Sequence, residues 1–451
     1  MLIDPVRKAT SIPALVLSLV IYAVSALPAA AITLLRDAGI EHGLAQLAMP
    51  VLRAAGLNAS RVRVLVVDDS KFNAFVIDSQ TIFLNYGLIL KAQNAAMLQA
   101  VIAHEAAHIS NGHIARRMGN FQNARTLAGL GTALAVIAAA SGAGEAAAGI
   151  ALGTSTSAQR IFLKHTRAEE SSADNSAASY MRRAGVPLRG LVQLHEAFVG
   201  QEMLSVGRQD PYMQSHPLSR DRVRAAKDYV AAHKDVTLPD PNTEYWFARV
   251  RGKLSAFTRS PKWTMQRSGR EAAQDVRLMR QAVAYHRLNN LAAARNAING
   301  ALAIRPEDAY YYDLKGQIEM ENRRWAAALT AYEKAQELAP RESLIRGGYG
   351  RALLVNGQSK AGLEALEKAR SREFRDVRLL RDLSIAYAKA GQNGMAALAT
   401  AERYALEGQL GDAGLHARRA IAQLPTGSAA WQRAEDVLIA SERYRKGKKK
   451  R

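Results

Sequence analysis

Apolar residues recur along this chain with two periods, and the order in which the periods alternate sketches the fold. Over residues 32–60, Leu34, Leu35, Leu44, Leu47 and Leu52 recur at near-helical spacing. Val62, Val64 and Val66 then alternate with Arg61, Arg63 and Leu65. Ala74-Phe75-Val76-Ile77 and Thr81-Ile82-Phe83-Leu84 flank Asp78-Ser79-Gln80, so a small sheet with a hairpin is expected. From Ala95 to Met118 the helical period returns, marked by Ala96, Leu98, Val101, Ile102 and Ile109. Residues 126–159 break the pattern, being rich in Ala and Gly with Glu145 as the sole charge. Alanine and glycine add little transfer free energy, so this stretch is expected as core or lid helices rather than a membrane span. A contact lying on a membrane surface is the alternative. A helix through Ala168–Arg183 follows, then a loop around Pro211–Pro217, then a helix ending near His233. Pro239, Pro241 and their polar neighbours mark a boundary.

The second half repeats itself. Ala301, Ala335 and Ala369 are 34 residues apart, as are Ala293, Ala327 and Ala361. Pro306 and Pro340 keep the same step, as do Gly316 and Gly350. A 34-residue period with small residues at fixed helical positions is the mark of tetratricopeptide repeats. Each unit is a helix–turn–helix whose small residues let paired helices approach. A third, less regular unit is expected over Asp376–Leu406 and a partial fourth over Gly411–Pro425.

The N-terminus reads as an export signal. Arg7 and Lys8 precede an apolar run, Ala14 to Leu27, and Pro28 breaks it before Ala29-Ala30-Ala31. The uncharged stretch from Ala9 to Leu35 could instead remain as an anchor. Either way the bulk of the chain is expected outside the cytoplasm.

Charge and composition narrow the chemistry. The 451 residues include no cysteine, which excludes thiolate metal sites, disulfides and a cysteine nucleophile. The formal net charge is +21, and it is uneven. Residues 1–240 carry 23 Lys+Arg against 18 Asp+Glu, whereas residues 241–451 carry 38 against 22. Seven of the last nine residues, Arg443 to Arg451, are basic, which predicts a solvated, disordered end. Its functional reading is adhesion to an anionic surface. No nucleic-acid motif accompanies the charge, so no nucleic-acid partner is expected.

The metal chemistry rests on His104-Glu105-Ala106-Ala107-His108, an H-E-x-x-H pentapeptide within a predicted helix. Residues i and i+4 share a helix face, so His104 and His108 can aim at one zinc ion. Glu105 can act as general base on a water held there. A third ligand is needed. His113 is unsuited, because on a continuous helix it points about 140° away from His108. It is expected at the helix surface or behind the ligands. The metzincin spacing would need a histidine where Ile114 stands. Glu170 is the better candidate, since Asp174 follows one turn on and can accept from a ligand imidazole. Glu169 competes with it, without an Asp at i+4.

These residues resemble a known family. H-E-A-A-H followed by Glu170-Ser171-Ser172-Ala173-Asp174 is similar to the gluzincin peptidases that include HtpX, Oma-type and prenyl-protein proteases. The export signal and repeats narrow the resemblance to the BepA-like periplasmic metalloproteases. Leu35-Arg36-Asp37-Ala38, Phe72-Asn73-Ala74-Phe75, Ser215-His216-Pro217-Leu218 with Arg222, and Tyr245-Trp246-Phe247-Ala248-Arg249 with Lys253-Leu254 also resemble their segments, in order. Two departures stand out. Ile77-Asp78-Ser79-Gln80 replaces a Gly-Gly turn, and the repeat domain lacks a cysteine pair.

The resemblance implies a mainly α protein. A gluzincin protease domain of helices and a small β-sheet would precede an α-solenoid of tetratricopeptide repeats. The expected division is a signal peptide at 1–31, protease at 32–240, connector at 241–270, repeats at 271–425, and a helix end with basic tail at 426–451. It implies one zinc per chain on His104, His108 and Glu170, with Glu105 as base and Asp174 behind the ligands. His216 would latch the open zinc position or donate to the oxyanion. Asn73, Ala74 and Phe75 would form an edge that pairs with extended substrate. The implied activity is periplasmic endopeptidase cleavage of misfolded or stalled outer-membrane proteins, with repeats recruiting substrate or assembly machinery. The alternative is an assembly factor or chaperone with a latched, mostly inactive site.

Overall fold

A computed structural model describes residues 33–117, 165–205, 208–233, 238–373 and 376–449. The expected signal peptide and the Ala/Gly-rich stretch lie outside these residues. Among the described residues the architecture is mainly helical, with one small sheet.

The stretch read as helix from residue 32 opens with a strand, β1 (Leu34–Leu35), before α1 (Ala38–Ala54). Asp37 caps α1, its carboxylate accepting from the Ile40 amide at 2.9 Å. Strands β2 (Arg63–Val67), β3 (Ala74–Val76) and β4 (Thr81–Asn85) complete a sheet in the order β1-β2-β4-β3. The β3–β4 hairpin is antiparallel, with Phe75 opposite Phe83, while β2 runs parallel to β4. Period-two alternation buries both faces. Val64, Val66, Ile82 and Leu84 join the main core, and Leu65, Val67, Phe75 and Phe83 form a second cluster.

After α2 (Tyr86–Lys91) comes α3 (Ala95–Ser110), buried on every side from Ala95 to His108. It packs against α1, α4 (Arg167–Arg183) and α5 (Arg189–Glu196). The helix expected to run to Met118 instead stops at Ser110. Gly112 takes φ +69°, a left-handed turn, and residues 113–117 form a separate helical segment. The expected loop at Pro211–Pro217 contains a short helix, α6 (Pro211–Ser215), and α7 (Arg220–Ala232) follows.

Helix α8 (Pro241–Thr258) joins the two halves, and α9 (Pro261–Ser268) follows it. Phe247, Val250 and Leu254 of α8 enter the main core, whereas its Ala256 enters the core of the first hairpin. Five helix hairpins stack beyond it: α10 (Gln274–Arg287) with α11 (Leu291–Ile304), α12 (Ala309–Glu321) with α13 (Trp325–Leu338), α14 (Ser343–Val355) with α15 (Ser359–Arg370), α16 (Val377–Lys389) with α17 (Asn393–Leu406), and α18 (Leu410–Ile421) with α19 (Ala429–Lys449). The second helices of the first four start at 291, 325, 359 and 393, each 34 residues after the last. Residues 376–406 are therefore the fourth unit, not the third. The expected partial unit is a complete fifth hairpin. The basic end is helical through Lys449 rather than disordered.

Close approach requires small residues inside the stack. The Tyr332 ring lies against Gly316 and Gly348, and a Cβ built on Gly316 would stand 2.8 Å from it. A Cβ on Gly348 would overlap the same ring. Gly348→Ala should therefore destabilise the repeats by about 1–3 kcal/mol, read as a lower thermal midpoint.

The repeats dock on the N-terminus of α1. Arg36, just after β1, pairs with Glu373 beyond α15 at 2.7 Å and with Glu41 at 2.6 Å. Lys253 pairs with the capping carboxylate of Asp37 at 2.8 Å. Tyr310 of α12 stacks on His42 of α1 at 4.3 Å between centroids.

Candidate metal centre

Helix α3 places His104 and His108 one turn apart, and both are fully buried with Glu105. Helix α4 crosses it and brings Glu170 and Asp174 to the same place. The N-terminus of α4 settles which glutamate faces inward. Glu169 closes a capping box with Thr166 and pairs with Arg117 at 3.0 Å, so it is held outside the cluster. Glu170, one residue on, is fully buried.

The imidazole Nε2 atoms of His104 and His108 lie 3.1 Å apart. Glu170 Oε2 is 3.4 Å from His104 Nε2, and its Oε1 is 3.4 Å from His108 Nε2. His216, the C-cap residue of α6, enters the same cluster. Its Nδ1 is 2.9 Å from Glu170 Oε1 and 3.3 Å from His104 Nε2, while its Nε2 is 3.4 Å from Glu105 Oε1. One atom from each of His104, His108, Glu170 and His216 lies within 4.8 Å of the others, close enough to hold one ion.

The donor set fits a divalent cation. Neither oxygen of Glu105 makes a hydrogen bond among the described residues, although both are buried. Lone pairs from imidazoles and carboxylates converge on one small space, which is costly unless a cation neutralises them. Nitrogen and oxygen donors without sulfur suit zinc in a peptidase-type site.

The carboxylates differ in their supports. Asp174 Oδ1 lies 3.0 Å from His104 Nδ1. Arg222 of α7 donates to both Asp174 oxygens, at 2.6 and 2.9 Å, and lies 2.8 Å from Glu170 Oε2. Burial alone would raise the pKa of Asp174, but His104, His195 and Arg222 hold it well below the usual carboxylate range. Burial is the largest influence on Glu105 and raises its pKa, as a general base requires.

Several neighbours carry no sequence pattern and were not anticipated. His165 is buried, lies tilted against His108 at 3.6 Å between ring centroids, stacks on His216 at 5.0 Å, and donates its amide to the Ser215 carbonyl at 2.9 Å. Tyr212 stacks on His216 at 4.6 Å, and its buried hydroxyl has no hydrogen-bond partner among the described residues. His195 Nε2 lies 3.4 Å from Asp174 Oδ1. Of the two places expected for His113, the structure excludes the helix surface and puts it behind His108. It is 2% exposed, and its Nδ1 is 2.8 Å from His108 Nδ1. The predicted angle assumed a continuous helix, which the Gly112 turn interrupts.

Ala74 and Phe75 lie in β3, at the edge of the sheet and against α3, with Asn73 just before it. The Asn73 carbonyl accepts from the Asn85 amide at 2.9 Å, and the Phe72 carbonyl accepts from the Tyr212 amide at 3.3 Å.

Residues 35–230, the span that holds this cluster, match the sequence profile described as Peptidase family M48. Over that span the chain is similar to the M48 peptidases. The chain is therefore a metalloendopeptidase, and the family implies a bound metal. The chain is 25% identical over 408 residues to the "Beta-barrel assembly-enhancing protease" of Yersinia pestis, covering 87% of this chain and 83% of that protein. It is 23% identical over 385 residues to the protein of the same name from Escherichia coli K12, covering 84% and 78%. "Metalloprotease YcaL" of Escherichia coli K12 matches at 27% over 184 residues, or 40% of this chain and 66% of that one. Among solved structures, the chain is similar to "MamA MSR-1 C2", at 14% identity and TM-score 0.30 over 36% of this chain and 96% of that one. It is also similar to "Crystal Structure of the Yeast Tom70", at 12% identity and TM-score 0.32 over 80% and 86%. Among the described residues, no helix is long and apolar enough to cross a membrane.

Proposed function

We propose that this protein is a zinc endopeptidase of the bacterial periplasm that cleaves misfolded or stalled outer-membrane proteins, its repeats recruiting substrate or assembly machinery. The observation that carries the chemistry is the convergence of His104, His108, Glu170 and His216 on one buried point beside Glu105. The periplasm and the substrate class rest on the N-terminal export pattern and on relatives named for β-barrel assembly.

In this reading His104, His108 and Glu170 hold one zinc ion. Bound there, it supplies Lewis acidity to a water molecule and to the scissile carbonyl. Glu105 takes the proton from the attacking water and passes it to the leaving amine. Asp174, held by Arg222, accepts from His104 Nδ1 and keeps its Nε2 lone pair aimed inward. His216 stands among the ligands as a removable latch. When it withdraws, its imidazole is in reach of the oxyanion. The β3 edge, from Asn73 to Phe75, pairs with extended substrate. The exposed Arg443, Arg445 and Lys446 near the end of α19 meet an anionic membrane surface.

One observation favours a second reading. With His216 among the ligands no open position is left, as in an assembly factor or chaperone with a mostly inactive site.

The metal assignment has a direct test. The purified chain should carry one zinc per molecule, and Glu170→Ala should lose the zinc and the peptidase activity together. Metal analysis alongside cleavage of an unfolded protein substrate reads both. Zinc retained by Glu170→Ala, or cleavage without metal, would overturn the assignment.

A further inference from the structure

We propose that His113 is a positioning residue that makes His108 a competent metal ligand, by accepting a hydrogen bond from His108 Nδ1–H. The inference rests on the metal site proposed above. It concerns a residue to which that reading gives no role.

Two ring nitrogens 2.8 Å apart cannot both present lone pairs, so one of them carries the proton between them. The direction of that bond decides the state of His108. If His113 donated, a neutral His108 would be protonated on Nε2 and would aim an N–H into the cluster, where His104 Nε2 is 3.1 Å away and Glu170 Oε1 is 3.4 Å away. If His113 accepts, the His108 proton sits on Nδ1 and its Nε2 lone pair faces the ion. Only the second arrangement gives a ligand.

The surroundings favour acceptance. His113 is buried, 2% exposed, so no solvent molecule competes for the nitrogen that faces His108 Nδ1 at 2.8 Å. A neutral imidazole has one ring lone pair to offer at that point. Its place is fixed by the chain. The left-handed Gly112 ends α3 and turns residue 113 back toward His108.

The two ligand histidines are thus oriented by unlike partners. His104 faces the Asp174 carboxylate at 3.0 Å, and His108 faces a neutral imidazole. The site gains one oriented ligand without a further buried negative charge.

A competing reading makes His108, His113 and His165 a second metal site, since their nitrogens also lie within 4.8 Å of one another. The guanidinium of Arg117 faces His165 Nδ1, so a cation there would meet a fixed positive charge with one lone pair already taken.

The test uses the full chain and three variants. His113→Ala removes the acceptor. His113→Phe removes it while keeping ring volume. His113→Asn restores an acceptor near the same point. Zinc affinity is read by chelator competition, and the ligand field by the absorption of the cobalt-substituted protein. The alanine and phenylalanine variants should bind zinc about 10–100-fold more weakly, with an altered cobalt spectrum. The asparagine variant should recover most of the affinity and the native spectrum. Wild-type affinity in His113→Phe, or equal weakness in phenylalanine and asparagine variants with native circular dichroism, would overturn the proposal. Should the wild-type chain bind no zinc, it is the metal site itself that fails.

Discussion

Glu105→Gln is expected to lower kcat for peptide-bond cleavage by about 10²–10⁴-fold while one metal ion per chain stays bound. Such a loss corresponds to about 3–5 kcal/mol of transition-state stabilisation. The substitution keeps the side-chain volume in a fully buried position, so packing around α3 should survive. It removes the one function that glutamine cannot replace, acceptance of a proton. The carboxylate is prepared for this. Burial raises its pKa, and neither oxygen is tied up by a hydrogen bond among the described residues. Glu105 is not among the residues that can share the ion, so metal content should not fall with activity. Steady-state kinetics on a fluorogenic peptide, with metal analysis of the same sample, separates the two quantities. Undiminished cleavage would remove Glu105 as the base. The same variant divides the two functional readings. If a null strain is rescued by Glu105→Gln in outer-membrane assembly, the protein works as an assembly factor, and cleavage is secondary.

Much of this site was legible because helix geometry is local. H-E-x-x-H puts two imidazoles on one face wherever it lies in a helix, and α3 is such a helix. The preference for Glu170 over Glu169 rested on Asp174 one turn on, and a second local signal went unused. Thr166 and Glu169 have capping-box spacing, which commits Glu169 to the helix end before any fold is known. His113 shows where local geometry fails. Its predicted direction was an extrapolation through Gly112, the residue type best able to break a helix. His165, His195 and Tyr212 had no local signal, because each is a single residue placed by contacts across the chain. The sheet divides in the same way. The β3–β4 hairpin follows from two adjacent apolar runs, whereas the parallel pairing of β2 with β4 depends on how the chain crosses between them. In the repeats, the alanine series already marks three units before residue 376, so the unit over 376–406 should have been counted as the fourth. The C-terminal end was misjudged by weighing charge alone. Ala429–Lys449 is also rich in Ala, Glu, Arg and Lys, which favour helix, and its first turns pack on α17 and α18.

Arg36→Ala should destabilise the docking of the repeats on the peptidase domain by about 1–3 kcal/mol, because it takes one of two arginine partners from the buried Glu373 carboxylate. Both side chains of the Arg36–Glu373 pair are 2% exposed, so water cannot replace the lost contact. Burial by itself would push the pKa of Glu373 up, yet Arg36 and Arg63 hold it well below the usual carboxylate range. That depression fixes the sign of the pH dependence. The stabilisation is fully present above the unfolded-state pKa of about 4.3, and is lost as pH falls from there through the folded value. The thermal midpoint of the wild type should therefore drop in acid. Glu373→Gln, which cannot titrate, should start lower at neutral pH and fall less steeply in acid. A double variant, Arg36→Met with Glu373→Met, should recover much of the loss in Arg36→Ala, since an apolar pair needs no partner charge. Glu41 and Arg63, 3.3 Å apart, remain paired in that background. Thermal unfolding with limited proteolysis of the connector reads docking and global stability side by side. An unchanged midpoint in Arg36→Ala would mean that the α8 core contacts alone hold the repeats in place.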